Sequence, residues 1–165
     1  MSSQLVFKVI EFELLCSITD AQQIVDWADE QIISSDEPEE ILFDLCLTSS
    51  KEKQLKILGS LNANLENEAF ELVVIKLLKR YELGLLDFFE VTSKLVAIHY
   101  HSSNLLVDFT NFIIWLDDEA CLITEGIKEL ETAEDDLIRF LLGIKEKHSK
   151  RLEFQDAFSN PNWVL

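Results

Sequence analysis

Glycine and proline are scarce in this chain, with four and two among 165 residues. A multi-stranded β fold needs one or the other at most of its turns, so their shortage argues against such a fold and for long helices joined by short connections. The glycines, Gly59, Gly84, Gly126 and Gly143, are also isolated from one another. A loop in which backbone approaches phosphate needs them clustered, which excludes a P-loop and a dinucleotide-binding turn. The three cysteines, Cys16, Cys46 and Cys121, are odd in number, widely spaced and free of any CxxC pattern. They read as buried free thiols in a reducing compartment, not as a zinc knuckle or redox dithiol. No Glu stands three residues before His99, His101 or His148, so the helical di-iron pattern is missing, as are HExxH and GxSxG. His99 and His101, two positions apart, point to different sides of a helix, and His148 sits on an apolar stripe as a packed histidine. Asp117-Asp118-Glu119 invites a calcium reading, but Leu122 stands where that loop requires its glycine. The expectation is therefore a protein that is not an enzyme, with no catalytic, cofactor-binding or metal-ligating residues and no cofactor.

Charges interrupt every apolar stretch before the ~20 residues needed to span a bilayer. The start, Met1-Ser2-Ser3-Gln4, lacks the basic region of a signal peptide. Both features point to a cytoplasmic protein with no membrane segment.

Basic residues are the other shortage. Fourteen Lys and Arg face 31 Asp and Glu, for a net charge of −17. Binding to nucleic acid requires cations that displace counterions from phosphate, so direct contact with it is not expected, nor is contact with anionic lipid. The deficit is also uneven. No basic residue occurs between Lys8 and Lys51, while eleven acids do: Glu11, Glu13, Asp20, Asp26, Asp29, Glu30, Asp36, Glu37, Glu39, Glu40 and Asp44. A second block, Asp117 to Asp136, holds nine acids against the single Lys128. Blocks of this length create fields that attract a basic partner. Asp29, Glu30, Asp36, Glu37, Asp117, Asp118 and Glu119 are the candidate partner-binding residues, the last three beside Trp115.

Hydrophobic residues make up 48% of the chain, enough for one core. A single domain over residues 1–165 is expected, with a radius of gyration of about 15 Å and an irregular tail over 155–165. Residues 5–15 fit two periods: Val6, Val9, Ile10 and Glu13 a helix, Leu5, Phe7 and Val9 a strand. The helical reading is preferred because all that follows is helical. Thr19 with Gln22 suggests a capping box ahead of a stripe through Ile24, Trp27, Ala28, Gln31 and Ile32, which makes Trp27 a core residue, as a stripe position does for Trp115. Asp36 is positioned to cap a short helix with Pro38 in its first turn, and Ser49 with Glu52 to open another. Residues 67–83 are apolar on nearly all sides, the mark of a central helix, and Gly84 suits its left-handed end. Further helices are expected over 86–100, 105–122 and 133–154, the last aligning Leu137, Leu141, Ile144, His148 and Leu152. The fold class is all-α: seven to eight helices in antiparallel hairpins, forming a bundle or short solenoid.

Four segments carry a resemblance: Trp27-Ala28-Asp29, Asp36-Glu37-Pro38 leading into Leu45-Cys46-Leu47, the run LKRYELG from Leu78 to Gly84, and Trp115-Leu116-Asp117-Asp118-Glu119. In this order, over most of the chain, they resemble small all-helical bacterial immunity proteins, the cytosolic antidotes made beside toxins of contact-dependent inhibition and related systems. The resemblance implies one basic protein partner, a cognate toxin and often a nuclease, inhibited by occlusion of its active site. A helical adaptor or regulatory subunit with an apolar docking groove, and an inhibitor that mimics nucleic acid, are the alternatives.

Overall fold

A computed structural model describes residues 2–61 and 63–148; the expected tail over 155–165 and the stripe residue Leu152 lie outside them. The described residues form eight α-helices and no strand: α1 (Ser3–Leu15), α2 (Ala21–Ser34), α3 (Glu40–Cys46), α4 (Lys51–Leu58), α5 (Glu66–Glu82), α6 (Phe88–His101), α7 (Val107–Thr124) and α8 (Leu130–His148). A 3₁₀ turn, Ala63–Leu65, leads into α5. Consecutive helices pack on each other from α2 to α4 and from α5 to α8, as short connections require.

Two helices make the centre. Every residue from Phe7 to Leu14 in α1 and from Ala69 to Leu78 in α5 is buried, and the two pack together. This explains the double period of residues 5–15. A helix enclosed on all sides has no polar face, so its apolar positions mark no single stripe and mimic alternation. Helix α4 packs on α1 and carries α3 and α2 beyond it, while α6 and α8 pack on α5 and carry α7 between them.

Enclosure forces the charges of α1 and α5 to find partners inside, since a lone buried charge is very costly. Lys8 meets Glu11 at 2.6 Å, and Lys76 pairs with Glu13 between the two helices. Glu66 accepts from the backbone N–H of Asn104 at 2.8 Å, tying α5 to the α6–α7 connection. Glu71 meets Lys147 at 2.5 Å and the buried His148 ring, which joins α5 to α8. His148 is thus a packed, charge-contacting histidine on the buried stripe with Leu137, Leu141 and Ile144.

Helix ends differ from the expected caps by a residue or more. The α2 box is Asp20 with Gln23: the Asp20 carboxylate accepts from the N–H groups of Gln22 and Gln23 at 2.9 Å, and Gln23 accepts from the Asp20 N–H. Thr19 is buried and donates to Gln23 instead. The same box recurs at α6, with Asp87 and Glu90. Neither Asp36 nor Ser49 caps a helix: α3 begins after Glu39, with Pro38 before its first turn, and α4 after Ser50, both without a side-chain cap bond. Replacing Asp20 or Asp87 by alanine is expected to cost about 1 kcal/mol each, and a chemical-denaturation midpoint equal to the parent's would show that the boxes contribute nothing. Helix α5 ends as expected, with Gly84 at φ +68° and the N–H groups of Gly84 and Leu85 on the carbonyls of Tyr81 and Arg80, both 2.9 Å. Ser17 ends α1 in the same left-handed region, at φ 53°, without glycine's freedom.

Candidate functional site

The first acidic block divides cleanly. Glu11 and Glu13 point inward and pair with lysines, whereas the other nine acids, from Asp20 to Asp44, are all exposed. None of those nine belongs to an ion pair among the described residues. The α2–α3 hairpin and its connection present them. On α2, Asp26, Asp29, Glu30 and Ile33 follow the i, i+3, i+4, i+7 spacing of one helical face; on α3, Glu40, Phe43, Asp44 and Leu47 do the same. Asp36, Glu37 and Glu39 lie in or at the end of the connection. Of the candidates, Asp29, Glu30, Asp36 and Glu37 therefore share one exposed hairpin. Buried Gln54 of α4 holds this unit in place, donating from Nε2 to the carbonyls of Ala21 (2.9 Å) and Thr48 (2.8 Å).

This face is not purely polar. Ile33 is 85% exposed, Leu47 84% and Phe43 47%. The candidate residues read from the sequence do not include these three. Their helical spacing places them among exposed acids, but the same spacing holds for buried Leu72 between Glu68 and Lys76, so the pattern alone does not mark an exposed apolar residue.

The second block is partly neutralised by its own fold. Glu119 is buried and meets Lys128 at 2.5 Å, Asp136 meets Arg139 at 2.7 Å, and Glu134 accepts from the Tyr81 hydroxyl. Burial, and then that bond, push the Tyr81 phenol up to about 12. Asp117 is half-buried, and Asp118 is exposed. The two candidate groups are not brought together: α2 packs with α3, and α7 with α6 and α8. Trp115 is half-buried against Phe112, which stacks on Phe140 with ring centroids 4.0 Å apart.

Trp27 is not a core residue either. It is half-buried, edge-on to Phe7 at 6.0 Å, and walls a cavity of about 200 Å³ beneath α2. Gln23, Asp26 and Glu30 line the same cavity from α2, and the Glu13–Lys76 pair lines it from within. Burial pushes the Glu13 carboxyl up and the Lys76 ammonium down, each opposed by attraction to the other. Arg80 lies close by, donating to the Ile18 carbonyl at 3.4 Å.

The thiols divide by exposure. Burial pushes Cys16 up to about 12; burial and the neighbouring Asp29 carboxylate push Cys46 up to about 11. Cys46 is half-buried and Cys121 is exposed on α7, against the expectation that all three are buried. A disulfide-exchange reagent at pH 8 is expected to label one thiol per chain rapidly, a phase that Cys121→Ser abolishes; three equal rates would contradict this division. No helix of the described residues is long and apolar enough to cross a membrane.

Comparison with models of known protein families, with curated proteins and with solved structures finds no match to this chain.

Proposed function

We propose that this is an acidic binding protein that neutralises one basic protein partner through its α2–α3 hairpin, in the role of an immunity protein that covers the cationic active site of a toxin. The observation that carries the reading is the row of nine exposed carboxylates from Asp20 to Asp44, none of them in an ion pair among the described residues. A nuclease must attract phosphate, so its active site is rimmed with Lys and Arg, and an acidic cover gains both complementarity and steering. Ile33, Phe43 and Leu47 give the same face the apolar contacts that hold a complex once formed. The second block, with Glu119, Asp136 and Glu134 already engaged, has less free charge to offer.

The test is capture with the tagged full chain from its own cells at low and at high salt, followed by an activity assay of whatever is held. One basic protein, released as salt rises and inactive while bound, is the expected result. Capture of several unrelated basic proteins would favour a nucleic-acid mimic. A partner held equally at both salt concentrations would favour an adaptor that docks through apolar contacts.

A further inference from the structure

The cavity beneath α2 suggests what the hairpin grips. Gln23, Asp26, Trp27 and Glu30 stand at i, i+3, i+4 and i+7, so a single helical face supplies one wall. At about 200 Å³ the space suits one side chain and is smaller than the usual pocket for a free metabolite. Its floor is fixed, because Glu13 and Lys76 are each 1% exposed and held by one another. Glu13, Asp26 and Glu30 outnumber the cations of the neighbourhood, Lys76 and Arg80, by three to two. The interior anion is matched by Lys76, while Asp26 and Glu30 are exposed and outside any ion pair among the described residues. The surplus at the mouth is therefore negative and turns away carboxylate or phosphate. Among the described residues no three acidic, histidine or cysteine side chains are grouped to hold a metal ion. Trp27 adds a flat, half-buried aromatic wall.

We infer that this cavity receives one arginine side chain of the basic partner, its guanidinium lying between Asp26 and Glu30 and its plane against Trp27. A guanidinium donates in the fixed fork that two carboxylates can accept, is weakly hydrated, and stacks on aromatic faces. Lysine offers none of the planar fit. The inference rests on the binding reading above and specifies its anchor: an arginine in a part-enclosed pocket is the kind of contact that dominates an interface.

The experiment needs no identified partner. The ¹⁵N-labelled full chain is titrated with acetyl-Gly-Arg-Gly-amide, and with the citrulline peptide, which keeps the shape and loses the charge. Saturable shifts are expected at the Trp27 indole N–H, assigned with Trp27→Phe, and at the Gln23 side-chain amide. The affinity should be weakened roughly tenfold or more by citrulline, or by Asp26→Asn with Glu30→Gln, since each removes a charge-assisted bond. Both carboxylates are exposed, so the variants keep the fold. Shifts that fail to saturate, that spread equally over the acids of α7 and α8, or that persist in the double variant overturn the inference. If a captured basic partner binds the double variant as tightly as the parent, the arginine receptor is wrong while the acidic-face reading stands.

Discussion

Lys76→Met is expected to destabilise the protein by about 3–5 kcal/mol, a large part of the roughly 5–15 kcal/mol that holds a domain of this kind together. The side chains of Lys76 and Glu13 are each 1% exposed and pair at the contact between α1 and α5. Removing the ammonium leaves the Glu13 carboxylate desolvated without its partner, whereas methionine fills much of the lysine stem's volume. A cavity is therefore not the main loss. The pH dependence identifies the cause. Burial already raises the Glu13 carboxyl from 4.5, and Lys76 is the largest influence pulling it down. Without Lys76 it rises further, so the folded state holds a proton that the unfolded state has released. A raised carboxyl contributes stability that is present below the unfolded value and lost as pH rises through the folded one. The deficit of Lys76→Met relative to the parent should accordingly be large at pH 7 and shrink towards pH 5, measured by urea denaturation. Glu13→Leu combined with Lys76→Met should recover most of the loss, because an apolar pair of similar volume replaces a buried ion pair at little or no cost. A deficit constant with pH, or a double variant as weak as the single, would mean that packing of the lysine stem matters and the charge does not.

The same pair shows where the sequence was readable and where it was not. The all-helical class follows from scarce glycine and proline, and α5 was legible as central because its run from Ala69 to Leu78 has no solvent face. Helix α1 is equally enclosed, but its apolar positions fitted a strand period as well as a helical one, and nothing in the pattern showed that its three charges, Lys8, Glu11 and Glu13, are buried. Burial of a charge depends on a partner 63 residues away, as for Glu13 and Lys76, and local pattern carries no such information. For the same reason the eleven-acid block overstated the surface charge by two. The expected caps fell one residue early, Thr19 for Asp20 and Ser49 for Ser50: at α2 the Asp20 carboxylate takes the cap while Thr19 is buried, and α4 begins after Ser50 with no side-chain cap at all. Within the candidate site, Asp29, Glu30, Asp36 and Glu37 emerged together because they are close in sequence on one hairpin. Glu119 turned inward to Lys128 once the α7–α8 turn brought that lysine back, a fold-dependent event that no spacing rule anticipates.

Reversal of Asp29, Glu30, Asp36 and Glu37 to lysine is expected to slow association with the captured basic partner by roughly 10- to 1000-fold at low salt. Four reversals, each worth two charges, take the net charge from −17 to −9, so a loss could reflect the whole molecule's field and not a particular face. The control is the same charge change elsewhere: Asp118, Glu125, Glu129 and Glu131, all exposed on α7, α8 or the turn between them, reversed together. The Debye length is about 8 Å at physiological ionic strength, so distant charges are screened while those at the interface are not. At that salt the hairpin variant should remain slow and the control should associate at nearly the parent rate. The dissociation rate adds a second discrimination. Steering charges act mainly on encounter, whereas Ile33, Phe43 and Leu47 act after contact. Their replacement by serine should speed dissociation and leave association nearly unchanged, and being exposed to 85%, 47% and 84% they can be changed without opening the core. Equal slowing by both charge reversals would reduce the hairpin to one contributor among many to a diffuse negative field. Selective slowing by the first, with faster release on loss of the three apolar groups, would make the α2–α3 face the surface that meets the partner.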